Sequence, residues 1–294
     1  MIDYRTYLTG LVAVFLALGL GMLVGAALVG SPSTVRQQKE LRTLQKSFTE
    51  FQEQNSALRS TADDVRARLM REDSAMRELM PRFVDGRLAG RRVAIVLCGQ
   101  MDDTAFLANV NEALSAAGAT VSSTTRVPDD WLPTDEGRDS VASAFGVPRQ
   151  EASDAKLGAA LGYAVAAGHA DQIAAAADAA AGLRLEGDYS KPVHAALLIT
   201  GATTEERQTA ARLGLTPESG VLNGLAATSL RVVAAEPDGE ERFSVLPMLF
   251  RKANATVDHI NLAAGQLSAV FGLAGRDGHF GLKRSAERAI PEMP

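Results

Sequence analysis

The sequence predicts an α/β protein built in three successive parts: an N-terminal transmembrane helix, a long parallel coiled coil, and a soluble doubly wound α/β domain. Three observations carry that expectation. No charged residue lies between Arg5 and Arg36. A heptad of mostly apolar residues then runs over residues 41–79. Beyond it, short continuous apolar runs alternate with amphipathic stretches, the pattern of β-α-β units. The expected boundaries are 1–7 for an N-terminal tail, 8–30 for the membrane helix, 33–80 for the coil, 88–285 for the domain and 286–294 for a tail.

The membrane segment reads LTGLVAVFLALGLGMLVGAALVG over residues 8–30. A helix rises ~1.5 Å per residue, so ~20 apolar residues cross ~30 Å of hydrocarbon, and this run is long enough with some tilt. A cleaved signal peptide is the rival reading, since Gly25, Ala26 and Ala27 could mimic its cleavage site. Its apolar region is usually only ~7–15 residues, shorter than this run. Ala17, Gly21 and Gly25 fall four apart on one face. Small residues at that spacing let two membrane helices approach closely. Flanking charge leaves orientation open. Arg36, Lys39, Arg42 and Lys46 follow the span, with Glu40 and Glu50 interspersed.

The coil's a and d positions are Leu41, Leu44, Phe48, Phe51, Asn55, Leu58, Ala62, Val65, Leu69, Glu72, Met76 and Leu79, ten of the twelve apolar. Neither proline nor glycine interrupts residues 33–80, and Pro81 is expected to stop the helix. A 3.5-residue repeat makes a narrow seam that must be buried against another helix. A rod of roughly 70 Å outreaches the domain that follows, so a second copy is the natural partner. Asn55 at an a position favours an in-register parallel dimer. The charged Glu72 at a d position is the flaw. Deleting residues 41–79 is expected to abolish dimerisation.

In the soluble domain, RRVAIVLCG begins with a strand whose residues 93–98 are continuously apolar, as in a strand covered on both faces. Asp102, Asp103 and Thr104 offer caps for a helix ending near Gly118, and residues 119–124 read as the next strand. This β-α-β order predicts a parallel sheet. Residues 128–150, with Pro128, Trp131, Pro133 and Pro148, read as loop, followed by alanine-rich helices at 151–168 and 170–183. HAALLITGA is a second buried strand, with a helix starting at Thr203, Thr204, Glu205 and Glu206. Residues 230–236 read as a strand and FSVLPMLFRKA as a short helix, before VDHIN and AAGQLSAVFGLAG complete the layer.

Composition narrows the function classes. The 46% hydrophobic and 22% charged fractions are those of a globular chain, and the net charge of −5 argues against nucleic acid as a partner. One cysteine, Cys98, precludes an intramolecular disulfide framework. The βα turns CGQMDDT and TGATTEE carry one glycine each, not a phosphate-cradling G-x-G-x-x-G. His169, His194, His259 and His279 are scattered, without metal-ligand spacing. Met70, Met76 and Met80 offer soft sulfur near the coil's end, where packing explains them better than copper. Asp102 and Asp103 read as a helix cap rather than a catalytic pair. The residues therefore predict no enzyme, no catalytic residue and no cofactor, and they leave metal ligands unknown.

The block LTGLVAVFLALGLGMLVGAALVG resembles the MctB family, named for mycobacterial copper transport protein B. So do RRVAIVLCG, the closing VDHINLAAGQLSAVFGLAGRDGHFGLK, and the order of parts. The resemblance covers nearly the whole chain and is strongest over residues 12–21 and 257–281. It implies copper homeostasis and efflux across the envelope, with copper binding coming from the resemblance alone. It also implies envelope scaffolds that partner a membrane-associated protein and control cell division. In that case the N-terminus is cytoplasmic and the coil and domain are extracytoplasmic. The expected function is a single-pass, membrane-anchored dimer acting as a scaffold or regulator through protein partners. The alternatives are direct copper efflux or binding and, from fold class alone, a nucleotide-binding enzyme.

Overall fold

The computed structural model describes residues 4–29, 32–99, 101, 105–180, 182–201, 205–238, 244–249 and 251–292. In chain order the elements are α1 (Tyr4–Val29), α2 (Pro32–Val84), β1 (Arg92–Cys98), α3 (Phe106–Ala116), β2 (Thr120–Val127), α4 (Asp135–Phe145), α5 (Asp154–Ala167), α6 (Ala170–Ala179), β3 (Arg184–Gly187), β4 (Ala195–Thr200), α7 (Glu205–Arg212), α8 (Pro217–Ala227), β5 (Arg231–Ala235), α9 (Leu246–Leu249), β6 (Ala255–Val257), α10 (Ala263–Ala274) and β7 (Gly278–Phe280). They divide into two units, Met1–Leu69 and Met70–Pro294.

The first unit holds α1 and most of α2. Within α1, Tyr7–Ala27 is long and apolar enough to cross a membrane, and none of it is buried against the chain. The heptad stretch of α2 is helical throughout.

In the second unit, the described residues contain one seven-stranded sheet in the order β3-β2-β1-β4-β5-β6-β7. Every neighbouring pair is parallel except β2 and β3. The sheet is therefore mixed rather than wholly parallel. β3 is a four-residue edge, RLEG, whose Arg184 and Glu186 keep it charged, a common way of protecting an open edge.

Side chains alternate across β1, so one strand feeds two cores. Val93, Ile95 and Leu97 pack with Phe106, Val110 and Leu114 of α3 and with α10. Ala94, Val96 and Cys98 pack with Trp131, Val141, Leu157, Leu161 and Leu222 on the opposite face. Helices thus cover both faces of the sheet, as continuous burial along β1 requires.

Several expectations are corrected. Pro81 lies inside α2, which runs on to Val84. An interior proline costs about 3 kcal/mol. Met80, Val84 and Leu88, which follow it or flank it, are essentially fully buried. Such burial contributes about 1.5–3 kcal/mol per side chain, enough in sum to offset the proline. The same burial moves the start of the globular unit from residue 88 back to Met70.

Residues 128–150 are not all loop, because α4 forms there. Thr134 accepts a hydrogen bond from the Gly137 N–H (3.1 Å), Asp135 and Glu136 occupy the first turn, and Gly146 closes the helix at φ 69°. The expected tail from residue 286 is also folded in part. The Glu287 N–H bonds the His279 carbonyl (2.8 Å) and the Gly281 N–H bonds the Arg288 carbonyl (2.8 Å).

Candidate functional site

Helix α2 places Leu41, Leu44, Phe48, Phe51, Leu58, Ala62, Val65 and Leu69 on one face, all exposed within the chain, with Asn55 half-buried. Spacings of three and four bring these residues into a stripe. Lys46 and Glu50 (3.8 Å) pair at f and c positions, respectively, away from that stripe. An exposed pair of this kind contributes at most about 1 kcal/mol, so the solvent face does little to hold the helix. Leu79 is 46% exposed, whereas Met76 packs half-buried against the chain's own domain. Met76 therefore departs from the expectation of a dimer contact, because it packs against the core on the α3 and α10 face of the sheet. In α1, Cβ atoms added at Gly21 and Gly25 would meet nothing within 4 Å. The exposed Ala17 completes that stripe.

The last turns of α2 dock onto α10. Asp73 Oδ1 accepts from the Ala263 N–H (2.6 Å), capping a helix whose own N-cap, Leu262, has no side-chain acceptor. Arg77 donates to Asp73 (2.9 Å), to Gln266 Oε1 (3.0 Å) and to the Asn261 carbonyl (3.1 Å). These contacts fix α2 to the first turn of α10 as both a cap and a guanidinium clamp.

A buried polar cluster sits at the carboxyl ends of β5 and β6. Glu236 accepts from the Ser244 hydroxyl (2.6 Å), the Val245 N–H (3.3 Å) and the Lys283 ammonium. Burial pushes Glu236 above the usual glutamate range despite these donors. Asp258 accepts from the Leu282 N–H (2.8 Å) and the Lys283 N–H (2.9 Å), and pairs with His259 Nδ1 (2.9 Å). Burial pushes Asp258 upward, but these hydrogen bonds outweigh it and hold the carboxyl below its usual range. Glycine is required at 281, since a Cβ there would lie 2.0 Å from the Asp258 carboxyl. The chain's own C-terminal segment therefore seals this end of the sheet. His259 is fully buried, and its Nε2 has no hydrogen-bond partner among the described residues.

Other expected candidates separate in space and role. His194 Nδ1 accepts from the Arg92 N–H (2.9 Å), His169 meets Gln172, and His279 meets Thr256. Met70 is exposed and Met80 is core. Cys98 is buried. Strand order reverses between β1 and β4, where open α/β sheets commonly bind ligands. Of the two turns there, Gly99 and Gly201 are described, while Asp102, Asp103, Thr104, Thr203 and Thr204 lie outside the described residues. Among the described residues no three His, Cys, Asp or Glu side chains converge as a metal site. The cluster at Glu236 and Asp258 escaped the sequence reading because its members span residues 236–283. Its one local signal was charge, in VDHIN, directly after an apolar strand.

These features define a mixed α/β protein with one N-terminal helix long and apolar enough to span a membrane. The chain belongs to the MctB family, described as copper transport outer membrane protein, which matches residues 1–291. No curated protein matches it.

Proposed function

We propose that this chain is a single-pass, membrane-anchored parallel dimer of the cell envelope that acts as a scaffold or regulator through protein partners. Its N-terminus is cytoplasmic and its α/β domain extracytoplasmic. The observation that carries the reading is the heptad face over residues 41–69, whose apolar side chains are exposed among the described residues. A narrow apolar stripe of that period suits another helix rather than a globular surface. The reading includes no catalytic role and no nucleotide.

Because residues 70–84 belong to the domain, the test removes four whole heptads, 41–68, from the full chain. Sedimentation in detergent is expected to show a dimer before the deletion and a monomer after it. A deletion that stays dimeric would overturn the reading.

The family description favours a second reading, in which copper is cargo. One membrane helix per chain makes a dimer too thin to enclose a pore, and buried mixed-sheet strands lack the lipid-facing alternation of a barrel. Copper handling on this reading requires higher assembly or another component. A Cu(I) competition titration on the full chain separates the two. Tight stoichiometric binding, lost on changing Met70 and other sulfur or imidazole donors, supports copper as cargo. Binding no stronger than to an unrelated protein supports the scaffold.

A further inference from the structure

Helix α2 carries two different working faces in succession. Over residues 41–69 the stripe falls at alternating steps of three and four, the a and d positions of the heptad. Over the last turns, the residues engaged with the rest of the chain include Asp73, Met76, Arg77, Met80 and Val84. Those are positions e, a, b, e and b, so the working face has moved off d towards b and e, keeping a at Met76 alone. Continuing the seam would need positions 72, 76 and 79. Two copies paired in register would bring two Glu72 carboxylates together at a d position, where repulsion and desolvation oppose each other's burial. Met76 is already half-buried in the chain's own core.

We infer that α2 changes partners at Glu72, with residues 41–69 packing against the same residues of a second copy and residues 73–84 packing against the chain's own domain. This inference rests on the dimer reading above and sets where the dimer seam ends. The heptad period points to a second copy as the occupant, and charge does not oppose it. In a parallel, in-register pair the flanking g-to-e contacts between copies are Glu40 to Gln45, Ser47 to Gln52, Gln54 to Arg59 and Thr61 to Arg66, none of them like-charged. The next contact would be Arg68 to Asp73, but Asp73 is committed to Arg77 and the α10 cap. The apolar stripe and the run of free e positions therefore stop at the same turn. Glu72, a defect in an uninterrupted coil, becomes the residue that ends it.

The test uses the full chain in detergent micelles with Cys98→Ala and one new cysteine at a time, treated with a short bifunctional maleimide. Phe51→Cys, Leu58→Cys and Val65→Cys are expected to link to themselves efficiently. Leu79→Cys, still a d position and 46% exposed, is expected to fall to the level of Ser60→Cys on the outer face. Linking at Leu79→Cys as efficient as at Leu58→Cys would overturn the change of partner and leave the dimer standing. Linking at positions 51, 58 and 65 no better than at position 60 would overturn the dimer and this inference together.

Discussion

Helices α5 and α8 and helix α1 use the same four-residue spacing of small residues, and they end in opposite conditions. Gly158 and Gly162 of α5 face Gly220 and Gly224 of α8 so closely that Cβ atoms would meet backbone carbonyl oxygens at 2.7, 2.3, 2.1 and 1.9 Å. In α1 the same test at Gly21 and Gly25 finds nothing within 4 Å. The pattern is half of an interface in either place. Within the domain the chain supplies the other half, and on the reading proposed here a second copy supplies it for α1. The exposed seam of α2 and the cores on the two faces of the sheet contrast in the same way.

The largest expected effect is in the closed region. Lys283→Met leaves Glu236 buried without its cation, which costs about 3–5 kcal/mol and lowers Tm by about 10 °C near neutral pH. The pH dependence has a definite sign. The Glu236 pKa is raised, chiefly by burial, so the stability linked to it is present below the usual 4.5 and lost as pH rises through the raised value. Removing Lys283 raises that value further. The deficit of the variant should therefore shrink as pH falls towards 4.5, as read by thermal unfolding across pH. A deficit constant with pH would place the effect in packing rather than in the ion pair.

Gly224→Ala comes next. Its Cβ would lie 1.9 Å from the Ala159 carbonyl oxygen, so α5 and α8 must part. Overpacking of this kind costs about 1–3 kcal/mol, visible as a Tm lower by about 5 °C. An unchanged Tm would show that the two helices separate freely and that their close approach is incidental.

The smallest effect on the domain belongs to the open region. Leu58→Asp in α2 and Gly21→Ile in α1 are expected to leave the domain's stability within about 0.5 kcal/mol, as surface substitutions do. Both should lower energy transfer between labelled copies in nanodiscs, Leu58→Asp more strongly. Loss of domain stability in either variant would erase the contrast between the closed and open regions.

Legibility in the sequence followed the same division. β1 and β4 were readable because burial on both faces demands unbroken apolar runs, VAIVLC and AALLI. β3 and β7 were not, since RLEG and GHF are short edges made strands by their neighbours rather than by their own pattern. α4 was hidden by the prolines around it, although Thr134, Asp135, Glu136 and Gly146 carried its start and stop. At Pro81 the local rule gave way to the burial of Met80 and Val84. The heptad face was legible because its period is local. The Glu236 and Asp258 cluster was not, because only the fold brings Lys283 to Glu236.

The position of Cys98 has a consequence for how copies of this chain can associate. It is the chain's one cysteine, and it lies in β1, buried at 1% exposure. No thiol is therefore presented for a covalent link between copies, even in an oxidising compartment. On the membrane-anchored dimer reading proposed above, pairing is reversible and follows mass action in two dimensions, so the fraction assembled would report how many copies share a patch of membrane.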